Sequence, residues 1–146
     1  MHFLPFWALL SLAISCQSSN YDYSKFYSLK GQELKYQDTL KFEFTPQDTG
    51  LYKVYLSVRY VDTYEFSNCW LKVIEHGSIR RVNVPLFDKL GQPLGKSSGG
   101  VISKTVLLEK CQIDNRRLIK LEIVQNMRKN PLPGISELGI MIKKKD

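Results

Sequence analysis

Between Tyr52 and Tyr60 the chain alternates without a break. Tyr52, Val54, Leu56, Val58 and Tyr60 share one side, and Lys53, Tyr55, Ser57 and Arg59 the other. A period of two belongs to extended chain, whose successive side chains point to opposite faces, whereas a helix repeats every 3.6 residues. Such a strand must cover its apolar side, so the chain is committed to a sheet with one face packed and one face wet. The same pattern recurs at Leu40, Phe42 and Phe44, and the turn residues Pro46-Gln47-Asp48-Thr49-Gly50 between the two runs predict a hairpin.

Five more strands follow from the pattern. One runs near Asn68 to Glu75 with Cys69, Leu71 and Val73 inward, and the turn His76-Gly77-Ser78 leads into Ile79 to Leu86. Val101 to Glu109, Leu118 to Gln125 and Glu137 to Lys143 complete the set, and no stretch offers a helix of three turns. About seven short strands with apolar inner sides predict an all-β fold, a single antiparallel β-sandwich of jelly-roll or immunoglobulin-like type. The Gly-, Pro- and Ser-rich residues 88–100 are expected as loop.

The first fifteen residues differ from the rest. Phe3 to Ile14 is apolar apart from Pro5 and Ser11, and no Lys, Arg, Asp or Glu occurs before Asp22. Such a stretch would rise only about 18 Å as a helix, short of the ~30 Å hydrocarbon core, and has the length of a signal-peptide apolar region. Leu12-Ala13-Ile14-Ser15-Cys16 resembles a bacterial lipobox, in which the Cys thiol takes up the diacylglyceryl group. The expected organisation is a lipoprotein signal peptide at 1–15, a lipid-anchored tether at 16–35 and a sandwich at 36–146. Tyr21, Tyr23 and Tyr27 predict that the tether packs on the domain. The formal net charge of +7 sits wholly on the mature part and suits anionic surfaces such as membrane head groups, while an exported domain rarely meets nucleic acid.

Chemistry-bearing residues are sparse. No catalytic residue, cofactor or metal site is expected: His76 is the sole histidine outside the leader, no CxxC occurs, and Glu43, Asp62, Glu65 and Asp88 read as strand or loop charges. Cys69 and Cys111 are a candidate disulfide, against the alternative that Cys69 is a buried free thiol. Two loops exceed what a hairpin requires, and long ordered loops often carry function. The first, 87–100, supplies Asp88, Gly91 and Gly95 as candidate partner-binding residues. The second, 126–134, supplies Arg128, Lys129, Asn130, Pro131 and Pro133. Trp70 and Tyr55 at outward positions are compatible with a glycan-binding sandwich, the alternative function.

Three segments carry a family resemblance: Tyr64-Glu65-Phe66-Ser67-Asn68, then Pro85-Leu86-Phe87-Asp88 with Gly91, Gly95 and Gly99, and above all Gln125-Asn126-Met127-Arg128-Lys129-Asn130-Pro131-Leu132-Pro133-Gly134-Ile135 running into Leu138-Gly139-Ile140. The mature chain resembles the GldH-type gliding-motility lipoproteins of the Bacteroidota, departing from them at Pro93, where an aromatic residue is usual. The resemblance implies a non-enzymatic, lipid-anchored envelope component of the gliding and type IX secretion-associated machinery. Its partners would be envelope proteins of that apparatus and the membrane holding its anchor. Gln17-Ser18-Ser19-Asn20 has no acidic residue after Cys16, so a periplasm-facing anchor is expected.

Overall fold

The computed structural model describes residues 20–146, so Cys16 and the leader lie outside the described residues. Eleven strands follow in order: β1 (Tyr23–Ser28), β2 (Glu33–Leu34), β3 (Leu40–Phe44), β4 (Gly50–Tyr60), β5 (Asn68–Glu75), β6 (Ser78–Pro85), β7 (Lys96–Ser98), β8 (Val101–Ile113), β9 (Ile119–Gln125), β10 (Leu132–Pro133) and β11 (Ile135–Lys144). They form a five-stranded sheet ordered β1-β11-β4-β8-β7, a four-stranded sheet ordered β3-β9-β5-β6, and a small β10-β2 ladder. Every pairing is antiparallel, and the fold is an all-β sandwich.

The core lies between the two large sheets. From β4 it takes Tyr52, Val54, Leu56, Val58 and Tyr60, the side anticipated from the alternation, and all are buried. Phe42 and Phe44 of β3, Cys69, Leu71 and Val73 of β5, and Leu138, Ile140 and Ile142 of β11 meet them. Fully burying an aliphatic or aromatic side chain contributes about 1.5–3 kcal/mol, so this layer dominates the stability.

Four expectations need correction. β3 and β4 are not a hairpin: β3 pairs with β9, while β4 pairs with β11 and β8. The 45–49 segment arches between sheets, because both strands have one apolar side and the arch turns the two sides onto each other. The sandwich also begins well before residue 36. β1 pairs with β11 from Tyr23↔Ile142 to Ser28↔Glu137, and Tyr23 and Tyr27 pack on Phe44 and Phe42, so these tyrosines close the edge of the core. The 88–100 loop contains β7, which pairs with the start of β8.

The fourth correction concerns the cysteines. Cys69 and Cys111 are free. Cys69 lies opposite Val84 near one end of the sandwich, and Cys111 lies opposite Tyr52 near the other. Ten residues of β8 separate Cys111 from Val101, about 33 Å of strand, whereas a disulfide needs Cα atoms within about 7 Å.

The hairpin β5–β6 closes with a two-residue turn in which His76 and Gly77 both have positive φ, 48° and 80°, the geometry that matches strand twist. On the outer side of the five-stranded sheet Phe26 lies over Gly139, and a Cβ there would overlap its ring. Arg59 stacks on the same ring, 4.6 Å from its centroid, and pairs with Glu137.

Gly139→Val should push Phe26 off this face and lower the unfolding free energy by about 1–3 kcal/mol, read from urea denaturation. Non-reduced protein unfolded in the presence of N-ethylmaleimide should take up label at both Cys69 and Cys111, and a bridged pair would take up none.

Candidate functional site

Strand directions give the sandwich two distinct ends. β1, β4 and β8 run alongside β11 so that Asp22, Gly50, Ile113 and Lys144 gather at one end, and Ser28, Tyr60, Val101 and Ile135 at the other. The described chain enters at the first end. Both long loops emerge at the second.

Tyr64 organises that second end. It is buried, and its ring stands edge-on to both Tyr60 and Phe66, at centroid separations of 6.3 and 5.8 Å. Phe87 joins the same series by packing on Tyr60 at 5.4 Å. The Tyr60 hydroxyl donates to the Leu86 carbonyl at 2.5 Å and the Tyr64 hydroxyl to the Asn68 carbonyl at 2.9 Å. Burial pushes both phenols above their usual range, and it raises the neighbouring Cys69 thiol to about 12. These groups are therefore neutral packing elements, and Cys69 is no nucleophile at ordinary pH.

The first long loop folds back on itself. The Asp88 carboxylate accepts from the Leu90 and Gln92 amides at 2.8 and 2.9 Å, and Gly91 takes φ +77° in the turn. Gly95 lies against β8, where a Cβ would stand 2.5 Å from the Ser103 carbonyl oxygen. Its glycine is required by close approach of two backbones.

The second loop is held by Gln125, a buried amide. Its Nε2 donates to the carbonyls of Lys129 at 3.0 Å and Leu34 at 3.4 Å, and its Oε1 accepts from the Met127 amide at 3.0 Å. Asn130 accepts from the Tyr36 amide at 2.8 Å, and Tyr36 donates its hydroxyl to the Met127 carbonyl at 2.6 Å. Pro133 pairs with Glu33 in the β10-β2 ladder, leaving Pro131 exposed at the bend. Arg128 and Lys129 project to solvent, with Lys129 paired to Glu65 at 2.5 Å. That exposed pair adds only about 0–1 kcal/mol, so it orients the loop more than it stabilises the fold.

The 61–67 turn, crossing between the two loops, makes them one surface. A shallow groove of about 380 Å³ runs there, lined by Asp62, Tyr64, Phe66, Phe87, Asp88 and Lys89. Asp88 and Gly91 from the first loop border it, and the Lys129–Glu65 pair ties in the second. Gly95, Asn130 and Pro133 do not line it and instead hold the loops in place. Sequence reading missed Tyr64, Phe66 and Gln125 as organisers, although the sandwiching of Tyr64 between two loop-bounded strands was a usable signal.

Trp70 and Tyr55 are not brought together. Trp70 sits on the outer face of the four-stranded sheet under Arg81, whose guanidinium is 5.1 Å from the ring centre, and Tyr55 lies on the outer face of the five-stranded sheet. His76 occupies its exposed hairpin at the far end, and Glu43 pairs with Lys120 on a strand face. Among the described residues no three His, Cys, Asp or Glu side chains gather as a metal site would.

A family model described as GldH lipoprotein matches residues 21–142, from the approach to β1 through most of β11. The chain belongs to the GldH lipoprotein family. The match takes in both long loops and the groove between them. Membership of GldH carries lipid anchorage to a membrane of the cell envelope with it. Among the described residues no helix is long and apolar enough to cross a membrane. No curated protein matches the chain in sequence. Among solved structures it is similar to a family GH115 4-O-methyl-α-glucuronidase with specificity for decorated arabinogalactans, at 13% identity and a TM-score of 0.45. The alignment covers 87% of this chain and 17% of that protein, so the GldH chain spans about a sixth of its length.

Gln125→Leu should strand the Leu34 and Lys129 carbonyls and the Met127 amide, costing about 1–3 kcal/mol of stability. Amide exchange at Tyr36 and Met127 should accelerate in the same variant, while exchange in β4 keeps pace with global unfolding alone.

Proposed function

We propose that this GldH-family chain is a non-enzymatic docking component of the gliding-motility and type IX secretion-associated envelope machinery, anchored by acylation of Cys16 and facing the periplasm. The observation that carries the reading is the opposition of the two ends. Asn20 is the fourth residue after Cys16, a reach of at most about 14 Å, and the chain joins β1 at the end opposite the loops. β4 alone, with 11 residues, then holds the groove about 36 Å further out. An anchored domain of this form presents its loops away from the bilayer, where another envelope protein can reach them.

The composition of the groove supports docking. Phe66 and Phe87 are half-buried aromatics in its lining, Asp62 and Asp88 stand exposed on it, and Lys129, next to the exposed Arg128, reaches it through Glu65. An apolar centre within a charged rim is the usual anatomy of a protein interface. Two of its carboxylates are engaged in architecture, Asp88 by two loop amides and Glu65 by Lys129.

Combined Arg128→Glu and Lys129→Glu should reduce co-purification of envelope partners at least tenfold while leaving the thermal unfolding midpoint within a few degrees. Unchanged partner recovery from cells carrying this variant would count against the loops as the docking surface.

A further inference from the structure

The outer faces of the two sheets distribute charge differently. Across β3 and β9 of the four-stranded sheet, facing charges are of opposite sign: Lys41 stands opposite Glu122 and Glu43 opposite Lys120, with each pair in ionic contact. Across β5 and β6 Lys72 stands opposite Arg81, which stacks on Trp70. On the five-stranded sheet, Lys143 stands opposite Lys53, and Lys53 opposite Lys110. Their strand neighbours Tyr52, Val54 and Ile142 are buried in the core, so these three ammonium groups project from one outward row. Among the described residues none of the three has a carboxylate within 4.0 Å. Like charges placed directly opposite one another destabilise a sheet, so the row costs stability until an anion meets it.

The next row along the strands is apolar. Met141, Tyr55 and Leu107 stand side by side, and Leu107 is 46% exposed. Tyr21 lies edge-on against Tyr55, with ring centroids 6.1 Å apart, so the entering chain crosses this same face. Tyr21 is five residues from Cys16, a reach of at most about 18 Å. A lysine row beside an apolar band suits a membrane surface, where the stems lie on hydrocarbon and the ammonium groups reach phosphate.

We propose that the outer face of the five-stranded sheet, around Lys53, Lys110 and Lys143, rests on an anionic lipid surface. The inference builds on acylation at Cys16, which would bring the bilayer within reach of this face. Each lysine near an anionic bilayer strengthens association about fivefold, so three fix the orientation of an already tethered domain. The lysine row lies at the entry end of the strands, beside Gly50, Ile113 and Lys144, so contact is made there and the groove at the opposite end stays free for docking.

The test uses full-length protein isolated from membranes and reconstituted in phosphatidylcholine vesicles, with or without phosphatidylglycerol, and in detergent. Lysines are acetylated in brief pulses and read by mass spectrometry, with Lys41 and Lys72 on the opposite face as internal references. Labelling of Lys53, Lys110 and Lys143 should fall about fivefold or more in the anionic vesicles alone and recover in high salt. In a Lys53→Gln, Lys143→Gln variant, Lys110 should lose that protection. Equal labelling in all three environments would overturn the proposal. So would protection that is the same in neutral vesicles, or protection in detergent that grows with protein concentration, the mark of a second copy on this face. An intact mass without acyl chains would refute the anchor instead, and labelling of the three lysines with anionic vesicles added from outside would still decide the face.

Discussion

Burial of one side of β4 between two sheets is the constraint on which everything else rests. This strand sits at the centre of the five-stranded sheet, flanked by β11 and β8, and five of its side chains enter the core. At its far end Tyr60 carries the core into the loops. Its ring meets Tyr64 and Phe87, and its hydroxyl holds the Leu86 carbonyl. The loops are therefore extensions of the hydrophobic layer, with a shape set by the same packing that makes the fold.

Polarity is the second consequence. An antiparallel sandwich has two ends, and chain direction assigns connections to each. Here the His76–Gly77 hairpin and the 45–49 arch fall at the end where the chain enters. The long connections fall at the other. Gln125 makes that end coherent by satisfying backbone groups of two separate segments from one buried amide. A buried amide with its partners in place specifies geometry strongly, because each unmade bond carries a desolvation cost.

The two outer faces diverge chemically although both are solvated. Opposite charges face each other across β3 and β9, a self-sufficient arrangement. In one row across β11, β4 and β8 the three facing residues are lysines, beside a half-covered aromatic and aliphatic band. The β3–β9 side pairs its own charges, and the lysine row of the other face is suited to an anionic surface. This asymmetry gives a tethered domain an orientation as well as an attachment.

The sequence by itself determined the strands and their inward sides. Alternation at Leu40–Phe44, Tyr52–Tyr60 and Leu138–Ile142 is a local property, legible because side-chain direction in extended chain depends only on parity. Family membership was likewise legible, since the residues from Gln125 to Ile135 are contiguous. Pairing was decided by the tertiary structure. Whether Pro46–Gly50 makes a hairpin or an arch depends on which strands offer apolar partners elsewhere, so β3 found β9 and β4 found β11. For the same reason Tyr23 and Tyr27 became edge-closing core residues, Cys69 and Cys111 were carried to opposite ends, and Trp70 and Tyr55 to opposite faces. A groove between residues 62–67 and the 87–91 segment, tied to the 126–134 loop by one ion pair, and a row of lysines from three strands exist only once register is set, because register aligns residues that local sequence cannot relate.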